Sequence, residues 1–73
     1  MNISELKNLL QSNNVPSELY NLDGTGRKDE RFCIERDGNV WIVYFSERGV
    51  KTTEIEFNSE GEACKYLLEQ LTD

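Results

Sequence analysis

Three glutamates in this sequence have types and spacing that could do chemistry. Glu54 and Glu56 are two residues apart, so on an extended strand their carboxylates share a face, and Glu35, on another predicted strand, adds a third across the sheet. Paired carboxylates can hold a hard cation or exchange a proton. The residues that would support such work are missing. The chain has no histidine, which removes the commonest general base and every Ser–His or Cys–His pairing. Cys33 and Cys64 form no Cys-x-x-Cys pair, so no thiolate–imidazole metal set can be assembled, and both read as small buried hydrophobes. Ser46 and Thr53 have no neighbouring base. Gly24-Thr25-Gly26 follows no strand, opens no helix and lacks the third glycine of a dinucleotide fingerprint, so it reads as a turn. These features predict no catalytic residue, metal or cofactor, and place the chain outside the enzymes. The three carboxylates read as a solvated acidic face.

Charge points the same way. The chain has 73 residues, with 8 Lys plus Arg against 14 Asp plus Glu, a net charge of −6 at pH 7. Phosphate backbones demand clustered Lys and Arg, so nucleic acid is not the expected partner. A basic protein is, and charge would steer that encounter. Leu, Ile, Val and Phe make up about a quarter of the chain, enough for one folded domain over residues 1–73. A domain this small buries only about 60% of its unfolded surface, so a deep cleft would take core it cannot spare. No apolar run reaches the roughly 20 residues of a membrane span. The first residues lack the basic start and apolar block of a signal peptide. A cytoplasmic protein that makes no membrane contact is expected.

The elements that must position the glutamates are readable in turn. Ile3, Leu6, Leu9 and Leu10 form a helical apolar stripe from Ile3 to Gln11 or Ser12, capped by Asn2 with Glu5 three residues on. Pro16 suits the first position of a short second helix reaching Tyr20. Residues Asp23 to Glu30 form a polar loop. Three strands follow: Arg31 to Arg36, Val40 to Ser46, and Val50 or Lys51 to Phe57. Asp37-Gly38 is a strong two-residue hairpin signal, and Glu47-Arg48-Gly49 fits a three-residue loop. Ser59 with Glu62 is a second capping box, opening a helix whose buried stripe is Ala63, Cys64, Leu67, Leu68 and Leu71. The expected order is α-α-β-β-β-α. That makes a two-layer α+β fold: a three-stranded antiparallel meander with the N- and C-terminal helices on one face.

Alternation then divides the sheet. Phe32, Ile34, Trp41, Val43, Phe45, Ile55 and Phe57 face the helices. The other face carries Arg31, Cys33, Glu35, Val40, Ile42, Tyr44, Thr52, Glu54 and Glu56. An apolar centre of Tyr44, Ile42 and Val40, rimmed by Glu35, Glu54 and Glu56, is how a protein-binding patch is built. Two other readings stand beside it: the protein's own loop covers this face, or a second copy joins there as a homodimer.

The stretch Val40 to Gly49 (Val-Trp-Ile-Val-Tyr-Phe-Ser-Glu-Arg-Gly), followed by the helix start Phe57-Asn58-Ser59-Glu60-Gly61-Glu62-Ala63, resembles small bacterial immunity-type proteins of polymorphic toxin systems. The resemblance covers under half the chain. It implies a cytoplasmic protein that binds and neutralises a cognate toxin domain, and the negative charge adds the expectation that this domain is basic. The competing expectations are an acidic polyanion mimic that inhibits a nucleic-acid-binding protein, in which carboxylate spacing outweighs Tyr44, and a structural homodimer.

Overall fold

The computed structural model describes residues 1–24 and 29–72. The first helix, α1 (Ile3–Ser12), begins where the sequence places it. The Asn2 side chain accepts a hydrogen bond from the Glu5 N–H at 2.9 Å, and the Glu5 carboxylate in turn accepts one from the Asn2 N–H at 3.2 Å. It ends in a Schellman motif. Asn14 takes a left-handed φ of 59°, its N–H donates to the Gln11 carbonyl, and the Val15 N–H donates back to Leu10. Val15 and Leu10 then both join the core, which fixes where the chain leaves the helix.

The segment after Pro16 departs from expectation. It makes one 3-10 turn (Ser17–Leu19) and then a short strand, β1 (Tyr20–Asn21), which runs parallel to β2 (Arg31–Asp37). The sheet is completed by β3 (Val40–Glu47) and β4 (Val50–Phe57), in the order β1-β2-β3-β4. The fold is therefore α+β with a four-stranded mixed sheet, not a three-stranded antiparallel meander. A two-residue strand carries no periodicity to read. It forms because Tyr20 reaches the core beside Phe32 while its backbone pairs along β2.

Both hairpin turns differ from the expected ones, the first in position and the second in length. Asp37 pairs with Val40, so Gly38-Asn39 is the first turn; only Gly38 has positive φ (63°), as a type II′ turn requires at its first central position. Relative to the Asp37-Gly38 turn, the pairing slides by two residues. A slide of two keeps every side chain on its face. It brings Phe32 opposite Phe45, ring centroids 5.1 Å apart, and sets Arg36 over the Trp41 ring. At the second turn Glu47 pairs with Val50, leaving Arg48-Gly49, both with positive φ (52° and 81°), as the two-residue loop. A bulge then follows: Phe45 pairs with Thr52, but Val43 pairs with Ile55. The extra residue is Thr53, at φ 52°.

The last helix, α2 (Glu60–Thr72), starts with the Glu62 N–H donating to Ser59 Oγ at 3.2 Å. It lies across β2, β3 and β4, and α1 packs against it. Leu6 and Leu10 of α1 and Ala63, Cys64 and Leu67 of α2 close over Ile34 and Val43, with Phe32, Trp41 and Phe57 at the margin. These five strand residues belong to the seven that alternation predicts to face the helices, and the other two, Phe45 and Ile55, are half-buried. Leu9, expected in the stripe, is exposed instead. Glu60 ties the two helix starts together, accepting the Ile3 N–H at 2.9 Å. Cys33 and Cys64 are both buried thiols.

Candidate functional site

The opposite face of the sheet carries a second apolar cluster. Cys33, Ile42 and Tyr44 form it, with Val40 packed alongside, so it draws only on β2 and β3. Glu35, Ile42 and Glu56 stand in one row across β2, β3 and β4. Ile42 is thus flanked on both sides by a glutamate. Glu54 follows Thr53 on the same edge strand, and both Glu54 and Glu56 are exposed.

The centre of that patch is not open, which corrects the expectation that Tyr44 and Ile42 look out to meet another molecule. Tyr44 is 1% exposed and Ile42 is 7% exposed. At Tyr44 the neighbouring side chains supply part of the cover. The Tyr44 hydroxyl donates to Glu35 Oε1 at 2.8 Å, and Lys51 Nζ sits over the Tyr44 ring, 4.7 Å from its centroid. The same ammonium lies 3.8 Å from Glu35 Oε2. A phenol, a carboxylate and an ammonium therefore close on one another, and the ring is covered by the long arms of its neighbours. Burial pushes the Tyr44 hydroxyl well above the usual phenol range, helped by its hydrogen bond to Glu35 and by Cys33. It stays protonated, so it is a hydrogen-bond donor and not a base.

Lys51 is the residue that sequence reasoning missed. A three-residue second turn puts Thr52 on the Tyr44 face and Lys51 among the helix-facing residues. The observed two-residue turn and the bulge at Thr53 reverse this. Lys51 pairs with Ser46, on the Tyr44 face, and Thr52 pairs with Phe45, its hydroxyl donating to the Phe45 carbonyl at 3.1 Å. The available signal was Arg48-Gly49 read as the whole turn, with glycine at the second left-handed position.

Among the described residues, no group of three or more His, Cys, Asp or Glu side chains is arranged to hold a metal ion. A cavity of about 420 Å³ opens between α1 and β1, lined by Ser4, Lys7, Ser17, Tyr20 and Arg31 among others, and by none of the six patch residues. In the loop before β2, Gly24 donates to Asn21 Oδ1 at 2.9 Å, and Asp29 Oδ1 accepts from the Gly49 N–H at 3.1 Å. The middle of the expected Asp23–Glu30 loop, with Thr25 and Gly26 of the glycine pair, lies outside the described residues. No helix of the described chain is long and apolar enough to cross a membrane. No protein family, curated protein or solved structure matches this chain.

Proposed function

We propose that this chain is a non-enzymatic binding module, an inhibitor of the immunity kind, which docks a basic protein partner on the acidic face formed by Glu35, Glu54 and Glu56. The observation that carries this is the row Glu35–Ile42–Glu56, continued by exposed Glu54 on the edge strand β4. In this reading Tyr44, Ile42 and Val40 do not insert into the partner. They form an apolar floor beside the carboxylates, and Tyr44 holds Glu35 in place by its hydrogen bond. Fixed carboxylates lose little side-chain entropy on binding, which favours a charged partner surface over a greasy one.

The form of β4 supports contact through side chains over strand addition. A bulge and outward carboxylates are the standard means of blunting a sheet edge, and β4 has both. Two copies meeting edge to edge would also crowd their glutamates together, which disfavours a homodimer there. The deciding experiment is co-purification of the chain with the product of the adjoining gene, using wild type and the Glu54→Lys/Glu56→Lys pair. The reading expects a complex that the double charge reversal abolishes and that weakens steeply with salt. A complex indifferent to both removes this face from consideration.

A further inference from the structure

The three contacts around Tyr44 describe a cation site that is already filled. Lys51 Nζ lies over the face of the ring at 4.7 Å and beside Glu35 Oε2 at 3.8 Å, while the ring hydroxyl pins the other carboxylate oxygen. An aromatic face backed by an oriented carboxylate is how proteins hold cationic side chains. We infer that the Tyr44–Glu35 pair is the seat for an arginine of the basic partner, occupied in the free protein by Lys51 as an internal stand-in. This deepens the proposed function and rests on it for the partner's identity.

The geometry favours arginine as the incoming group. At 3.8 Å the Lys51–Glu35 contact is an ion pair longer than a hydrogen bond. Such pairs, half in solvent, hold weakly, and the Lys51 side chain is 49% exposed. A guanidinium stacks flat on a phenol ring and gives two parallel donors to a carboxylate, which an ammonium cannot do at once. The incoming arginine is drawn by Glu54 and Glu56 on the adjacent strand. Displaced Lys51 then moves its charge fully into water. The seat exists because of the bulge at Thr53 and the two-residue turn, which together place Lys51 on the Tyr44 face.

The test uses tetra-arginine amide as the probe, with tetra-citrulline amide as the uncharged control, followed by NMR on the full chain at low salt. Lys51→Ser removes the internal ammonium. The inference expects saturable shifts centred on the Tyr44 ring protons, with Lys51→Ser binding tetra-arginine roughly threefold to tenfold more tightly than wild type. Adding Glu35→Gln to Lys51→Ser should return binding to the wild-type level or below. Lys51→Gln repeats the measurement should serine weaken the ribbon. Equal affinity for wild type and Lys51→Ser overturns the inference, as do shifts that map to Glu62 and Glu69 of α2 and spare Tyr44. The adjoining gene product separates the two claims. If that complex is lost with Glu54→Lys/Glu56→Lys but is no tighter with Lys51→Ser, the acidic face stands and the seat falls. If that product does not bind at all while tetra-arginine behaves as expected, the seat stands and the partner reading falls.

Discussion

The Tyr44 hydroxyl donates to Glu35 Oε1 across the β2–β3 pairing at 2.8 Å, on the sheet face away from both helices. A buried phenol needs a partner for its proton, and a partly exposed carboxylate needs something to keep it from drifting. Each supplies the other. That one bond links a closed apolar cluster to the charged rim above it.

Breaking the bond should cost stability in a way a double-mutant cycle can measure. Glu35→Ala strands the buried hydroxyl and should lower the unfolding free energy by about 1–3 kcal/mol. Tyr44→Phe removes donor and hydroxyl together and should cost less. Urea melts of wild type, both singles and the double should return a coupling of roughly 1 kcal/mol. A coupling near zero would mean that the hydroxyl is satisfied elsewhere.

Alkaline pH should unfold the protein earlier than its composition suggests. Burial pushes the Cys64 thiol up from 9.0 to about 11, with the charge of nearby Glu60 adding to the effect. Tyr44 is also raised, chiefly by burial. Both folded states hold their protons longer than the unfolded chain does. The stability they contribute is therefore complete below the unfolded pKa and falls as pH rises through the folded one. For Cys64 that window runs from pH 9 to about 11. Cys64→Ala should flatten the decline of the urea midpoint within this window while leaving the steeper loss above it. An unchanged slope for Cys64→Ala would show that the thiol does not titrate with unfolding.

The bulge carries strain that glycine can relieve. A β-branched residue at positive φ costs about 1–2 kcal/mol, and Thr53 sits at 52°. Thr53→Gly recovers this but gives back roughly 0.5–1 kcal/mol in chain entropy. The net change should be a small gain, under about 1 kcal/mol, read as a raised melting temperature. A clear loss would mean that the threonine side chain does more at this edge than mark the bulge.

Glu60 should matter to a helix it does not belong to. Its carboxylate accepts the Ile3 N–H at 2.9 Å and so serves the open end of α1 from the first turn of α2. Glu60→Ala should lower stability by about 0.5–2 kcal/mol, the range for losing a cap. Hydrogen exchange should localise the effect, with faster exchange in the first turn of α1 and little change in β2 and β3. Uniformly faster exchange would point to general destabilisation instead.

Much of the fold was readable in the residue order because its signals are local. Asn2 with Glu5 and Ser59 with Glu62 marked both helix starts, and the alternation from Phe32 through Phe57 sorted most residues to their sheet face. Even the misplaced first turn did no harm, since a slide of two residues preserves the faces. The second turn was less forgiving. One residue more or less exchanges Lys51 with Thr52 between the faces, and no local rule announces a bulge at Thr53. β1 was hidden for another reason: two residues are too few for a pattern, and its parallel pairing to β2 has no hairpin turn to announce it.

The sequence by itself determined the absence of histidine, the negative charge, the helix-facing core and the alternation that brings Glu35, Ile42 and Glu56 to a common face, because composition and period-two geometry require no distant partner. Only the tertiary structure decided that Tyr44 is closed over by Glu35 and Lys51. That outcome depends on a register set jointly by a turn, a bulge and the pairing of Ile55 with Val43. Exposure is a property of the assembled surface, and a residue's type says which face it takes without saying what will lie across it.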